Sequence, residues 1–225
     1  MMKSSVPPDM RRTAAILTGD LIGSTKLDPA LTDRAMAVLE GAAASLPDWP
    51  QTTNPQFTRF RGDGWQALVY PTKYALRAIL FLKASLAAAD TGLSTRVAIG
   101  LGQISDTGSG GLGGAHGSAF KASGRALDAM KRGEDMVIDG AGASGLHKAI
   151  VALVAAKARR WSREQAEAMC HALPPAAPTL ATIATQIGIS QQAVSYRLKA
   201  AGHNEIDEAL KAWENDADTS SGAAL

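Results

Sequence analysis

Two carboxylates carry the first chemical signal in this chain of 225 residues. Asp20 closes the apolar run Ala14-Ala15-Ile16-Leu17 and is followed by Leu21-Ile22-Gly23-Ser24-Thr25. Asp63 sits in Arg59-Phe60-Arg61-Gly62-Asp63-Gly64-Trp65, where Asp-Gly has the chemistry of a two-residue hairpin turn. Either acid alone says little, because Asp is also a good turn residue. A strand end and a hairpin tip laid side by side would bring both carboxylates to one end of a sheet. Hard oxygen donors so placed hold Mg²⁺ against nucleotide phosphates. Gly23, Ser24 and Thr25 add backbone amides and two hydroxyls, the material of a phosphate cradle or of a plain loop that starts a helix.

A second signal lies near the end of the chain. Residues 180–201 have the spacing of a helix-turn-helix: Ala184 where two helices touch, Gly188 at the turn, Val194 packing back, and Ile183, Ile187, Ile189 and Leu198 as a small core. Ser190 is placed to cap the second helix, and Gln191 and Gln192 fill its first turn. That is where a recognition helix offers amides to base edges, with Gln able to bond adenine in a bidentate way. Ser195, Tyr196, Arg197 and Lys199 follow within reach of phosphates or bases of double-stranded DNA. The same pattern also serves a helical hairpin used for dimerisation.

The elements that must position these residues follow from periodicity. Residues 13–20 read as a central strand, 29–46 as a helix with Pro29 near its start, and 57–58 and 65–70 as the arms of the hairpin. Residues 71–89 give a broad apolar helical face, outlined by Tyr74, Leu76, Ile79, Leu80, Leu82, Lys83 and Leu86. Residues 96–103 alternate like a strand, and their two glycines predict close approach by another backbone or a ligand. The glycine-rich stretch 106–117 lacks the Gly-Lys-Ser/Thr of a P-loop and reads as a mobile loop. A helix over 118–132, carrying Lys121 and Arg125, and a strand over 135–139 complete the first half.

The order β, α, β-β hairpin, α, β, α, β predicts an α/β (α+β) fold, a mixed sheet covered by helices. It is compatible with a ferredoxin-like palm, though order alone leaves a doubly wound sheet open. Residues 140–145 read as a linker of small residues. Beyond it only helices are expected: 146–160, 162–173 with Ser162 and Gln165 as a capping box, the pair within 180–201, and a closing helix over 205–213. The expected division is therefore a lead-in over 1–12, a first domain over 13–140, an all-α second domain over 146–214, and a disordered tail over 215–225.

Composition narrows the partners. The formal net charge is +2, so a case for nucleic-acid binding must be local. The single cysteine, Cys170, excludes an internal disulfide and fits a reducing cytoplasm. It lies in a helical pattern, where a small buried thiol is expected. No apolar run approaches a membrane span.

These stretches resemble known families. Asp20-Leu21-Ile22-Gly23-Ser24-Thr25, Gly62-Asp63 and Gly117-Ser118-Ala119-Phe120-Lys121-Ala122-Ser123-Gly124-Arg125 resemble motifs of the class III nucleotidyl cyclase catalytic domain. The resemblance implies Asp20 and Asp63 as carboxylates for Mg²⁺ and Arg125 as the arginine that stabilises the transition state. Lys121 stands at that family's asparagine position and Arg59 at its base-reading lysine position, while the paired aspartate position falls near Gly114. It further implies a homodimer in which the carboxylates of one protomer face the arginine helix of the other. The whole chain also resembles the SatD-like bacterial family, which joins such a domain to a C-terminal helix-turn-helix. Gly-Asp-Leu-Ile-Gly-Ser, Arg-Gly-Asp-Gly-Trp-Gln and Ser-Gln-Gln-Ala-Val-Ser-Tyr-Arg-Leu-Lys-Ala-Ala-Gly carry that likeness.

Three functions are in play. One is a DNA-binding transcriptional regulator whose first domain binds a nucleotide or phosphate ligand with Mg²⁺ through Gly23, Ser24, Thr25, Arg59 and Arg125. Another is a nucleotidyl cyclase or other phosphoryl-transfer enzyme, with Arg125 and Lys121 catalytic, targeted by its helix-turn-helix. The third treats the first domain as a dimerisation scaffold.

Overall fold

The computed structural model describes residues 12–23, 28–50, 52, 56–60, 62–105 and 112–222. Strand β1 (Arg12–Ile22) is the axis of a five-stranded sheet. It pairs antiparallel with β3 (Gly64–Val69) on one side and β4 (Ser94–Ile104) on the other. Outside β3 runs β2 (Phe57–Phe60), also antiparallel, and outside β4 runs β5 (Met136–Gly140), parallel to it. The order is β2-β3-β1-β4-β5. Its first four strands, with helices α1 (Pro29–Ala44) and α2 (Ala75–Ala88) between them, form the β-α-β-β-α-β arrangement of a ferredoxin-like palm. The antiparallel central pairs rule out a doubly wound sheet, in which they would be parallel.

Period-two alternation along β1 sorts side chains between two layers. Ala15, Leu17 and Leu21 face α1 and α2 and join Leu39, Leu76, Ile79 and Leu80 in the main core. Ile16 faces the other way, towards α3 (Ser118–Asp128), and packs with Leu112 and Ala119. Helix α3 lies directly on β4 because Gly100 and Gly102 present no side chains. A β-carbon on Gly100 would strike the Ala119 carbonyl and the Ser123 amide, and one on Gly102 would strike Ser118. The close approach expected of these glycines is therefore to a helix backbone. Thr18 Oγ1 and Ser123 Oγ, 2.7 Å apart, tie the same helix to β1.

Five helices follow: α4 (Gly145–Ala158), α5 (Arg163–Ala172), α6 (Leu180–Ile187), α7 (Gln191–Ala201) and α8 (His203–Gly222). The expected capping box of Ser162 and Gln165 is present at α5, and Ser144 with His147 forms a second one at α4. The apolar core continues without a break from α2 into these helices through Val151, Met169, Leu173, Leu210 and Trp213. Arg77, buried on α2, donates from Nη1 to the Leu173 carbonyl at 2.8 Å and grips the Glu214 carboxylate with Nε and Nη2.

Several local expectations need correction. The hairpin closes at Phe60↔Gly64, so its loop holds three residues and not two. Gly62 takes the positive φ of 80°, while Gly64 is already strand, where a β-carbon would meet the Phe60 carbonyl and ring. Pro71 does not open α2; a 3₁₀ turn over Thr72–Tyr74 intervenes. The final helix continues to Gly222, past the expected tail boundary, and His147 Nε2 meets Asp216 Oδ2 at 3.3 Å on that added stretch. The lead-in, apart from Arg12, lies outside the described residues, as do residues 106–111 of the glycine-rich loop. The rest of that loop is anchored, with Leu112 buried and Ser105 bonded to the His116 carbonyl.

Candidate functional site

Asp20 and Asp63 meet at one end of the sheet for a reason of register. Asp20 lies opposite Gly64 on β3, and the Leu21 amide donates to the Asp63 carbonyl at 3.1 Å. Both acids line one cleft of about 820 Å³. Across β4, Asp20 lies opposite Arg96, so the two side chains emerge on the same face. Arg96 Nε and Nη2 each donate to an oxygen of the Asp20 carboxylate at 2.7 Å, the bidentate geometry that suits a guanidinium best. The hydrogen bond to Asp20 raises the Arg96 pKa further above its ordinary value. Partial burial opposes this, and the charges of Asp20, Asp128 and Asp63 add to it. Sequence reading missed Arg96 as a site residue, having taken it only as the first residue of a strand.

Trp65 braces the site from below. Its ring stacks on Phe57, with centroids 5.9 Å apart, and covers Gly19. Its indole N–H donates to Thr95 Oγ1, and Thr95 Oγ1 donates to the Asp20 carbonyl at 2.7 Å. Trp65→Phe removes that donor and, at this fully buried position, also part of the ring volume, leaving a void. We expect a loss of more than about 1 kcal/mol of stability in urea unfolding, the missing hydrogen bond adding to the cost of the void; unchanged stability would refute the bracing.

The remaining sequence candidates are placed as follows. Gly23 lines the cleft, while Ser24 and Thr25 lie outside the described residues. Arg59 does not line the cleft; its Nε donates to the Gly62 carbonyl and its Nη1 to Asp33, so it holds the loop next to Asp63. Lys121 and Arg125 are exposed on α3 and are not part of the cleft wall. Arg125 Nη2 reaches Asp139 at 3.3 Å. Cys170 is no nucleophile candidate: burial pushes its thiol up to about 11, with Ser85 as its neighbour.

The donor set fits Mg²⁺ in one respect and qualifies it in another. Two carboxylates at a cleft mouth are what Mg²⁺ takes from protein when substrate phosphates and water supply the rest. Among the described residues no group of three or more His, Cys, Asp or Glu gathers around one point, so the protein alone makes no closed cage. Asp20 would share its oxygens between the ion and Arg96.

The far end of the cleft has a different make-up. Lys83 is buried, donating to the Thr95 carbonyl at 2.8 Å and to Asp135 Oδ2 at 2.9 Å. Burial lowers its pKa, and the Asp135 carboxylate opposes the shift. Arg159 Nη1 takes the other Asp135 oxygen at 2.8 Å. Lys131, Arg132 and Trp161 complete that end.

The second candidate surface is on α7. Helices α6 and α7 are joined by Gly188-Ile189-Ser190, with Gly188 left-handed at φ 71° and Ser190 Oγ accepting from the Ala193 amide. Ile183, Ala184, Val194 and Leu198 are buried between the helices. Gln191, Gln192, Ser195, Tyr196 and Lys199 are exposed, and Tyr196 keeps 75% of its surface. Arg197 turns inward instead, pairing with Glu167 on α5 at 2.8 Å. No helix among the described residues is long and apolar enough to cross a membrane.

No protein-family model and no curated protein matches the chain. Among solved structures it is similar to the guanylyl cyclase Cya2, at 21% identity over 57% of this chain and 75% of that chain, with a TM-score of 0.39. It is also similar to the adenylyl cyclase CyaB from P. aeruginosa, at 14% identity over 57% of this chain and 77% of that chain, with a TM-score of 0.40.

Proposed function

We propose that this chain is a DNA-binding transcriptional regulator, of the SatD-like type, whose sheet domain binds an oligophosphate ligand such as a nucleotide together with Mg²⁺. The observation that carries the ligand half is that Asp63 and the paired Asp20 and Arg96 line one cleft. Asp20 and Asp63 supply the oxygens for the ion and Arg96 a guanidinium for phosphate. The ion, when bound, neutralises phosphate charge. A ligand that binds only the folded state raises the melting temperature. We expect such a rise with Mg²⁺ and a nucleoside triphosphate, and its loss in Asp63→Asn. A shift of equal size in wild type and variant would refute the assignment of Asp63.

The DNA half rests on the exposed face of α7. Gln191 and Gln192 in its first turn read base edges, and Ser195, Tyr196 and Lys199 reach phosphates. Arg197, held by Glu167, braces α7 against α5. Against an operator selected from random duplexes, Gln191→Ala and Gln192→Ala should each cost about 1–3 kcal/mol and relax sequence preference. Lys199→Ala should weaken all sequences alike and flatten the salt dependence. Equal affinity of the Gln191/Gln192 double variant and wild type would remove α7 from the interface.

A second reading is a nucleotidyl cyclase or other phosphoryl-transfer enzyme, favoured by the same three side chains, since that chemistry is mostly positioning and charge neutralisation. Arg125 and Lys121 stand outside the cleft, so in this reading they serve the cleft of a second protomer. Incubation with ATP or GTP and Mg²⁺ should then release pyrophosphate and a cyclic nucleotide, and Asp20→Asn should abolish both. Sedimentation should show a dimer that Arg125→Glu disrupts.

A further inference from the structure

We infer that the corner between α4 and α5 forms the far end of the ligand cleft and reports its occupancy to α7. Arg159 is the anion-binding residue and Trp161 the relay. The inference rests on the oligophosphate reading of the cleft and extends it to a part of the chain that the carboxylate motifs do not reach.

Three observations carry it. The first is the composition of the wall. Ala158, Arg159 and Trp161, from the end of α4 and the turn beyond it, line the same cleft as Asp20, Asp63 and Arg96. Its volume, about 820 Å³, lies in the range of roughly 300–1,000 Å³ typical of small-molecule sites.

The second observation is charge. Asp135 is buried between two cations, Lys83 on one oxygen and Arg159 on the other. Two cations face one anion, so the cluster carries an excess positive charge. Arg159 is the member that reaches solvent, with 41% of its side chain exposed, and only Nη1 is engaged with Asp135. Its remaining N–H donors can take a phosphate without releasing Asp135. Lys131 and Arg132 stand on the same rim, and no carboxylate among the described residues pairs with either side chain. Asp135 is paired twice, and Glu134, whose Oε2 accepts the Lys131 backbone amide, keeps its negative charge, so Lys131 and Arg132 leave this end with a positive excess. A chain of phosphates anchored by Mg²⁺ at Asp20 and Asp63 thus meets a second cationic end.

The third observation is the link to α7. Trp161 lines the cleft, and its indole N–H donates to the carbonyl of Ala201, the last residue of α7, at 2.9 Å. Lys157, one turn earlier, lies over Gly202, where a β-carbon would strike its side chain. A ligand that moves Arg159 or Trp161 therefore acts on the C-terminal end of α7 through one hydrogen bond.

The test uses the full chain, inorganic tripolyphosphate and Mg²⁺, read by calorimetry and by tryptophan emission. Trp49, Trp65 and Trp213 are each at most 5% exposed, so a change in emission reports Trp161. Wild type should bind saturably with a change in emission. Trp161→Phe should bind without one. Arg159→Gln should bind about tenfold more weakly, as loss of one charge-assisted hydrogen bond implies. Arg159 also braces Asp135, so the Lys131→Ala/Arg132→Ala variant provides a second measure free of that role, and it too should bind more weakly. Amide exchange near Ala201 should change when wild type binds. Binding of wild-type strength in both cation variants overturns the site, and binding without a change in emission or exchange overturns the relay. Either result leaves the Asp20/Asp63 reading standing. No binding by wild type overturns that reading and this one together.

Discussion

Arg77→Ala should destabilise the protein by about 3–5 kcal/mol, the range found when one partner of a buried ion pair is removed. Arg77 is 4% exposed on α2 and holds the Leu173 carbonyl and the Glu214 carboxylate at once. Truncation leaves a carbonyl and a carboxylate in the interface between the sheet half and the helices without their donor. The lower end of the range applies, because the Glu214 side chain keeps 17% exposure and gains water in compensation. Urea unfolding followed by far-UV circular dichroism measures the loss. Arg77→Met combined with Glu214→Leu should recover part of it, since an apolar pair replaces the ion pair and Asp207 keeps Lys211, while the Leu173 carbonyl still lacks its donor. A loss below about 1 kcal/mol for Arg77→Ala would place the pair among surface bridges of small worth.

Gly100→Ala should cost about 3 kcal/mol or more, the upper range for overpacking, because the obstruction is backbone. The added methyl would strike the Ala119 carbonyl and the Ser123 amide, which no rotamer change relieves. Helix α3 must lift from β4, and the Thr18–Ser123 hydroxyl contact goes with it. Gly41→Ala is the control: Gly41 lies inside α1, and a β-carbon there meets nothing within 4 Å. It should stabilise by about 1 kcal/mol, the propensity difference between alanine and glycine in a helix. Thermal unfolding of the two variants should therefore move in opposite directions, and equal shifts would refute the packing argument.

Local pattern made much of the fold legible. Asp20 closing a run of strand residues and Asp63 beside a turn glycine were enough to bring two acids to one sheet end, because strand periodicity and turn chemistry are properties of neighbouring residues. Ser162 with Gln165, and Ala184 with Gly188 and Val194, were readable for the same reason. Lys83 lies on the buried face of α2 that helical spacing outlines, but its partner Asp135 has no local signature. Arg96 with Asp20, Arg77 with Glu214 and Lys83 with Asp135 are joined across 76, 137 and 52 residues. No periodicity encodes such pairs; the sheet order and helix docking create them. The hairpin was misread for a related reason: Asp-Gly names a turn residue, while strand register decides how many residues the loop holds.

The gap of 137 residues between Arg77 and Glu214 has a consequence for the order of events during synthesis. At roughly 5–20 residues per second, α2 emerges on the order of ten seconds before the carboxylate that neutralises its buried arginine. Until α5 emerges, the face of α2 that later meets Met169 and Leu173 has nothing to cover it. The strands and first helices can pair as they emerge, but the cation remains in water until α8 arrives. The nascent chain must wait in a partly dressed state, and α8 is the helix that closes it.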